Sequence, residues 1–208
     1  QMFLRGISRW LRPATCFVVV AHPRSGSNLL IRALQAHPEI IAKGEIVRDG
    51  NRIPPVQTAS KFLSRAATKY RGHTAVGFKV FYHHPQRIDP EPFWHYLESE
   101  KSIHIIHLKR LNVIRTYVSK LIATRDDYWL RTTGSPPLNE RNIPVHLEEN
   151  STFEFLEYIK QRQQQIAKLF QHHKNLEIDY EDLSKDSQKI FSKCQNFLGV
   201  NEVVALPL

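Results

Sequence analysis

The stretch FVVVAHPRSGSNLLIRALQAHP, residues 17–38, decides the fold of this chain. Its apolar, β-branched beginning predicts a buried strand. A polar turn of five residues follows, and leucines then recur at helical spacing. Strand, tight turn and helix in this order bring backbone N–H groups and a helix N-terminus to one point, where an anion is favoured. The turn consists of Arg24, Ser25, Gly26, Ser27 and Asn28. Its guanidinium and side-chain donors suit phosphate oxygens, so the stretch predicts a site for a phosphorylated ligand.

Strands and helices alternate along the rest of the chain. Strands are predicted over 16–21, 75–81, 103–108 and 176–178, with an extended piece over 40–47. Helices are predicted over 26–37, 59–70, 90–99, 113–124, 152–172 and 186–198. This alternation predicts an α/β fold with a central parallel sheet flanked by helices. Ligands of such sheets bind at the carboxyl ends of the strands, which is where the opening turn lies.

Length and loop composition predict the domain organisation. A chain of 208 residues fits one domain, 1–208, with residues 1–15 as an N-terminal extension. Residues 126–150 contain Gly134, Pro136, Pro137 and Pro144, and they predict a long irregular loop of the kind that often binds ligands.

Charge and cysteine content limit the class of protein. The net charge is +9, from 29 basic and 20 acidic residues, but it is scattered, without the basic and aromatic patch of a nucleic-acid-binding module. No apolar run reaches the ~18 residues of a membrane span. Two cysteines, Cys16 and Cys194, make neither a disulfide framework nor a metal site. Free thiols in a cytoplasmic protein are expected, with a removed membrane anchor as the open alternative.

The opening turn lacks the glycine patterns of common nucleotide sites. It holds one glycine, whereas the Walker A motif G-x-x-x-x-G-K-[ST] and the dinucleotide fingerprint G-x-G-x-x-G need more. ATP, GTP and NAD are therefore disfavoured. A kinase with a degenerate P-loop stays open as an alternative, and a basic nucleic-acid-binding module is the second.

A second segment, HIIHLKRLNVIRTYVSKLIA over residues 104–123, repeats the order of strand, basic turn and helix. Arg110 stands where the strand ends, and Ser119 lies on the following helix. Arg115 and Ser119 are four residues apart and share a helix face. These side chains predict a grip on a second phosphate.

Together these segments resemble the sulfotransferase family, which uses 3′-phosphoadenosine 5′-phosphosulfate (PAPS). Pro23 to Asn28 resembles the family's 5′-phosphosulfate loop, and Arg110 with Ser119 resembles its 3′-phosphate segment. The YEDL sequence that begins at Tyr180 is similar to a stretch near the family's adenine pocket. The resemblance covers residues 16–200.

Two departures from the family pattern are visible. Arg24 stands where many members have lysine, a variant that is similar to bacterial and carbohydrate-type members more than to cytosolic steroid and phenol enzymes. Arg110 and Ser119 are nine residues apart, where eight is usual, and one residue turns a helical side chain by about 100°. Either Arg110 with a local adjustment or Arg115 therefore fits the role at the 3′-phosphate.

The resemblance implies PAPS as co-substrate, 3′-phosphoadenosine 5′-phosphate (PAP) as product, and no metal. It implies donor binding by eight residues: Arg24, Ser25, Gly26, Ser27, Asn28, Arg110, Ser119 and Tyr180. Arg24 would also act in catalysis, by neutralising charge on the leaving oxygens.

The resemblance to the sulfotransferase family is less specific about the acceptor than about the donor. The acceptor would be a hydroxyl, of a carbohydrate or glycolipid first and of another small molecule second. Glu45 is the first choice as base, with His83 and His84 as alternatives, and Lys79 would contact the sulfuryl group. The 126–150 loop is expected on the acceptor side, with an aromatic lining from Tyr82, Tyr128 and Trp129. The oligomeric state stays open.

Overall fold

Five parallel strands form one sheet in the order β2-β3-β1-β4-β5. The computed structural model describes residues 13–47, 52–65, 72–126 and 144–204. The strands are β1 (Thr15–Ala21), β2 (Ile40–Glu45), β3 (Ala75–Phe81), β4 (His104–Lys109) and β5 (Asn175–Asp179). The helices are α1 (Ser27–Gln35), α2 (Pro55–Ser64), α3 (Glu91–Ser99), α4 (Val113–Arg125), α5 (Glu149–Leu169), α6 (Tyr180–Lys185) and α7 (Ser187–Leu198). The predicted α/β fold with a central parallel sheet is confirmed.

The apolar run of β1 is continuous because both faces of the sheet are covered. Phe17, Val19 and Ala21 belong to a core cluster that includes side chains of α1 and α7. Val18 and Val20 belong to the cluster on the other face, which includes side chains of α2, α3 and α5. All five side chains have no exposed surface, so the position of β1 is fixed from both sides.

Two predicted helices begin earlier than the sequence indicated. The helix predicted over 59–70 begins at Pro55, because proline is favoured at the first helical position. The structure gives this helix as Pro55–Ser64, and residues 66–70 of the predicted range lie outside the described residues. The helix predicted over 152–172 begins at Glu149, because the side chain of Glu148 accepts hydrogen bonds from two backbone N–H groups at its start. The YEDL stretch forms the short helix α6, which the sequence analysis did not predict.

The two predicted terminal and loop segments are only partly described. β1 begins at Thr15, whose N–H bonds to the carbonyl of Thr74, so the strand takes in the last residue of the predicted 1–15 extension. Residues 1–12 and 127–143, with Tyr128 and Trp129, lie outside the described residues. Cys16 and Cys194 are free thiols, as predicted, and Cys194 is buried.

The parallel register decides where the connecting turns meet. Ala21, the last residue of β1, pairs with Phe81 on one side and with Leu108 on the other. The segments that follow β1, β3 and β4 therefore open at one edge of the sheet. The polar turns of the sequence are neighbours there although they are more than 80 residues apart in the chain.

Gly77 is the tightest point of the sheet and gives a test of it. A Cβ at this position would overlap the carbonyl oxygen and ring of Phe17 on β1. Gly77→Ala should lower the free energy of unfolding by about 1–3 kcal/mol, because the overlap lies in a packed core. Urea unfolding followed by circular dichroism measures this. Gly44→Ala is the matched control, since a Cβ there meets nothing within 4 Å. Equal stability of the two variants would contradict the packing described.

Candidate active site

The turn between β1 and α1 is closed by its own polar groups. The backbone N–H and the hydroxyl of Ser25 both donate to the carbonyl of His22, at 3.3 and 2.6 Å. Arg24 and Gly26 have φ angles of 69° and 86°, in the left-handed region. This conformation is uncommon for a residue with a side chain. Ser25 is buried, so its hydroxyl serves to close the turn.

The N-terminus of α1 faces the open side of this turn. The N–H of Leu30 makes the first bond of the helix, to the carbonyl of Gly26. The N–H groups of Ser27, Asn28 and Leu29 come before that bond and have no acceptor in the helix. Gly26, as the N-cap, has no side chain to satisfy them. The helix end therefore offers N–H donors and a positive dipole to an anion.

Arg24, predicted for the 5′-phosphate, is joined by hydrogen bonds to Arg110 and Ser119, which are predicted for the 3′-phosphate. The Nε of Arg24 donates to the hydroxyl of Ser119 on α4, at 2.9 Å. A terminal nitrogen of Arg110 donates to the carbonyl of Arg24, also at 2.9 Å. Burial, and next to it the positive charge of Arg110, lower the pKa of Arg24. The charge of Arg110 disfavours the charged form of Arg24, and an anion bound beside both guanidinium groups would offset this effect.

Arg110 and Ser119 reach the same turn in spite of their nine-residue spacing. Arg110 lies before α4 begins, so its direction is not tied to the helical period. Its Nε is buried and has no hydrogen-bond partner among the described residues. Arg115 contributes its backbone N–H to the side chain of Asn112, which caps α4. Arg110 is therefore the arginine that the structure joins to the turn.

The YEDL helix holds the two basic turns together. The ring of Tyr180 lies against Gly26, where a Cβ would overlap it. The guanidinium of Arg110 lies 4.6 Å from the centre of the same ring, in a cation–π contact. Glycine is thus required in the turn both for its positive φ and for the approach of Tyr180.

Glu181, the next residue of α6, holds the start of α4 by hydrogen bonds. Its carboxylate accepts hydrogen bonds from the backbone N–H groups of Leu111 and Asn112, at 3.0 and 3.1 Å. Burial acts to raise the pKa of Glu181, but these bonds and the charge of Arg110 outweigh it and hold the pKa below its ordinary value. α6 thus positions Arg110 and the first turn of α4.

Lys79 makes buried contacts that connect β2, β3 and the opening turn. Its side chain is 2% exposed, and its Nζ lies 3.1 Å from Oε1 of Glu45. The same Nζ donates to Oδ1 of Asn28 at 2.6 Å and lies 4.6 Å from the centre of the Phe81 ring. The structure therefore joins the lysine and the glutamate predicted for catalysis and connects both to the opening turn.

A β-bulge directs Glu45 to this position. The register between β2 and β3 shifts between Lys43 and Glu45, so that Glu45 pairs with Lys79. The side chain of Glu45 is 27% exposed, which leaves its carboxylate open to solvent while it contacts the buried ammonium.

His83 and His84 are neighbours of Phe81, and His84 is the more buried of the two. His84 is buried, its carbonyl accepts a hydrogen bond from the indole of Trp94, and its ring packs on Phe81. The ring of His83 lies 4.7 Å from that of His84. Both histidines lie beside Phe81, the residue whose ring Lys79 also contacts.

Sequence reasoning missed a buried polar group beneath the turn. The hydroxyl of Tyr82 lies 2.8 Å from Nε2 of His107, and Nδ1 of His107 lies 3.8 Å from Glu177. Tyr82, expected to line an acceptor pocket, is 2% exposed. The Nδ1 of His22 donates to the carbonyl of Pro23 at 2.6 Å. A histidine inside the apolar strand β4 and another directly after β1 were the signal that could have found this group.

The chain is similar to known proteins over almost its full length. The family model described as "Sulfotransferase domain" matches residues 15–206. The chain belongs to this family. Nodulation protein H of Rhizobium meliloti is 23% identical over 203 residues, which are 90% of this chain and 78% of that protein. Nodulation protein H of Rhizobium tropici is 26% identical over 192 residues, which are 88% and 75% of the two chains.

Solved sulfotransferases have the same fold. The enzyme of Alicyclobacillus acidocaldarius superposes with a TM-score of 0.59, at 18% identity, over 94% of this chain and 85% of that one. A mouse sulfotransferase complexed with PAP superposes with a TM-score of 0.54, at 17% identity, over 92% of this chain and 60% of that one. The sequence-based identification as a PAPS-dependent sulfotransferase is confirmed by the family match, which selects it over a kinase with a degenerate P-loop.

Neither a cluster suited to a metal ion nor a helix suited to spanning a membrane is found among the described residues. In the described part of the chain, no cluster of three or more His, Cys, Asp or Glu side chains is arranged to hold a metal ion. No described helix combines the length and the apolar character needed to cross a membrane.

The buried histidines predict a loss of stability in acid. Burial lowers the pKa of His22 and of His107 to about 4. Below pH 6.5 the unfolded chain takes up protons that the folded protein excludes. Stability should therefore fall between pH 6.5 and 4, by about 1.4 kcal/mol per pH unit for each histidine. His107→Gln should flatten this dependence in urea unfolding at pH 7.5, 6 and 5. An unchanged slope would contradict the assignment of a neutral, buried His107.

Proposed function

We propose that this sulfotransferase moves the sulfuryl group of PAPS to an acceptor hydroxyl by direct in-line transfer, with Glu45 as the base. The observation that carries the proposal is the arrangement of two charged groups around the N-terminus of α1. Arg24, Arg110 and Ser119 are joined by hydrogen bonds where β1 and β4 end, and Lys79 of β3, on the other side of β1, pairs with Glu45. The first group suits the anionic donor, and the second suits the transferred group and its acceptor.

The donor would lie across the turn between the two basic segments. The N–H groups at the start of α1 suit its 5′-phosphate, together with the side chains of Ser27 and Asn28. Arg110 and Ser119 suit its 3′-phosphate, and Tyr180 suits the neighbourhood of the adenine. Arg24, which contacts Ser119 in this structure, suits the oxygens of the leaving phosphate.

The transfer itself needs positioning and charge more than covalent chemistry. The acceptor oxygen forms a bond to sulfur while the bond from sulfur to the 5′-phosphate oxygen breaks, and the electron pair of that bond stays on PAP. Glu45 takes the acceptor proton, since its carboxylate is partly exposed and adjoins Lys79. Lys79 offsets the negative charge of the sulfuryl oxygens. Arg24 offsets the charge that develops on the leaving group.

The acceptor we propose is a hydroxyl of a carbohydrate or glycolipid. Arg24 in the position of the more usual lysine supports this choice, since that variant is similar to carbohydrate-type members of the family. His84 is the second choice as base. It is buried, and its ring is packed on Phe81.

Nucleotide selectivity tests the donor assignment. PAP at ~100 times its Kd should stabilise the protein by about 2.7 kcal/mol, which at this chain length is a rise of roughly 5–10 °C in Tm. Thermal unfolding with PAP, with ATP and Mg²⁺, and with a DNA oligonucleotide measures this. A rise with ATP or with the oligonucleotide but not with PAP would refute the proposed donor site.

Separate effects on binding and turnover test the residue roles. Arg24→Ala should weaken PAP binding, because it removes a guanidinium from the donor side.

Glu45→Gln should bind PAP within a few-fold of wild type and lose about 10²-fold or more in turnover, the usual effect of removing a general base. Sulfate transfer to a panel of sugar and lipid hydroxyls gives the turnover. His84→Gln is the comparison variant: loss of turnover in it, with full turnover in Glu45→Gln, would assign the base to His84.

A further inference from the structure

The ammonium of Lys79 is shared between the two halves of the site. It lies 3.1 Å from a carboxylate oxygen of Glu45 and 2.6 Å from the side-chain oxygen of Asn28. The first partner belongs to the acceptor side and the second to the donor turn. The side chain of Lys79 is almost fully buried, so its charge needs a partner close by.

Asn28 connects this lysine to the donor. An ammonium only donates hydrogen bonds, so the oxygen of the Asn28 amide faces Lys79 and its NH₂ group faces another direction. Asn28 is exposed, and it is the second residue of α1, among the N–H groups that suit an anion. One residue thus holds Lys79 with its oxygen and adjoins the donor site with its nitrogens.

Glu45 in this arrangement is paired with Lys79. A carboxylate that pairs with a buried ammonium has less of its charge to offer an acceptor hydroxyl. The sulfuryl group of the donor is an anion that would arrive next to the same ammonium. The two anions would then compete for one cation.

We propose that donor binding releases the base: the sulfuryl group of PAPS takes over the pairing with Lys79, and Glu45 turns to the acceptor hydroxyl. Asn28 is a positioning residue that keeps Lys79 beside the turn during this exchange. The inference rests on the proposed function and adds regulation of the same site. Glu45 can then accept a proton only when PAPS, with its sulfuryl group, is bound. PAP has no sulfuryl group and leaves Glu45 paired with Lys79.

The difference between PAPS and PAP provides the measurement. Both nucleotides use the phosphate contacts, and PAPS alone offers the sulfuryl group, so the ratio of their Kd values isolates the contact with Lys79. Glu45→Gln removes the competing anion and should favour PAPS over PAP by about 5-fold or more relative to wild type, the lower end of usual coupling between sites. Isothermal titration of both nucleotides gives the ratio.

Two further variants test the route through Lys79. In Asn28→Ala, Lys79 loses its hydrogen bond to the donor turn and keeps its pairing with Glu45, so the preference for PAPS should fall below that of wild type. In a Lys79→Met background, Glu45→Gln should leave the ratio unchanged, because the cation for which the anions compete is gone. A purely structural role of Asn28 would change both affinities equally and leave their ratio constant.

Glu177→Gln is the matched control. Glu177 also pairs with a lysine: its carboxylate lies 2.7 Å from Nζ of Lys109, the last residue of β4. Glu177 itself lies on β5, the outermost strand on the side of the sheet away from β2. Its removal should leave the ratio of the two Kd values as in wild type.

The outcomes separate this inference from the proposed function. If wild type binds neither nucleotide, the proposed function fails and the inference fails with it. If wild type binds both, the donor assignment stands. An unchanged or lowered preference for PAPS in Glu45→Gln, or an unchanged preference in Asn28→Ala, then overturns the release of the base. Asn28→Ala keeps the test decisive if Glu45→Gln does not fold, because Asn28 is exposed.

Discussion

The site depends on the position of β1 between β3 and β4, with all three strands parallel. Because Ala21 is in register with Phe81 and with Leu108, three strands end at one edge, and the turns that follow them become neighbours. Parallel strands with buried faces cannot slide without exposing their apolar side chains. The same packing that stabilises the core therefore sets the distances between the charged groups at its edge.

Positive charge is concentrated at this edge of the sheet, where Arg110 and Lys79 both contact the turn that contains Arg24. Arg110 donates to the carbonyl of Arg24, and Arg24 donates to the hydroxyl of Ser119, so the two arginines are joined through neutral groups. Lys79 instead pairs with the carboxylate of Glu45. The proposed donor and acceptor halves of the site therefore differ in the contacts that their cations make.

The sequence signals for the opening turn are local. Arg24 to Asn28 occupy one turn, and the residue types with their order carry the information. Glu45 and Lys79 were predicted only by position, since they lie on different strands and meet through a bulge. The contact between Tyr82 and His107 was missed for the same reason: the two residues belong to different segments of the chain, and only the packing of neighbouring strands brings them together. The helix α6 was missed because six residues give too little periodicity to recognise.

The sequence by itself determined the α/β fold, the anion-binding turn and the sulfotransferase family, because strand pattern, turn composition and motif order are properties of neighbouring residues. Tertiary structure alone decided that Arg110 rather than Arg115 joins the turn, that Tyr180 packs on Gly26, and that Lys79 holds Glu45 and Asn28 together. These are contacts between residues far apart in the chain. They exist because the sheet brings the strand ends together, and no local pattern in the sequence encodes that distance.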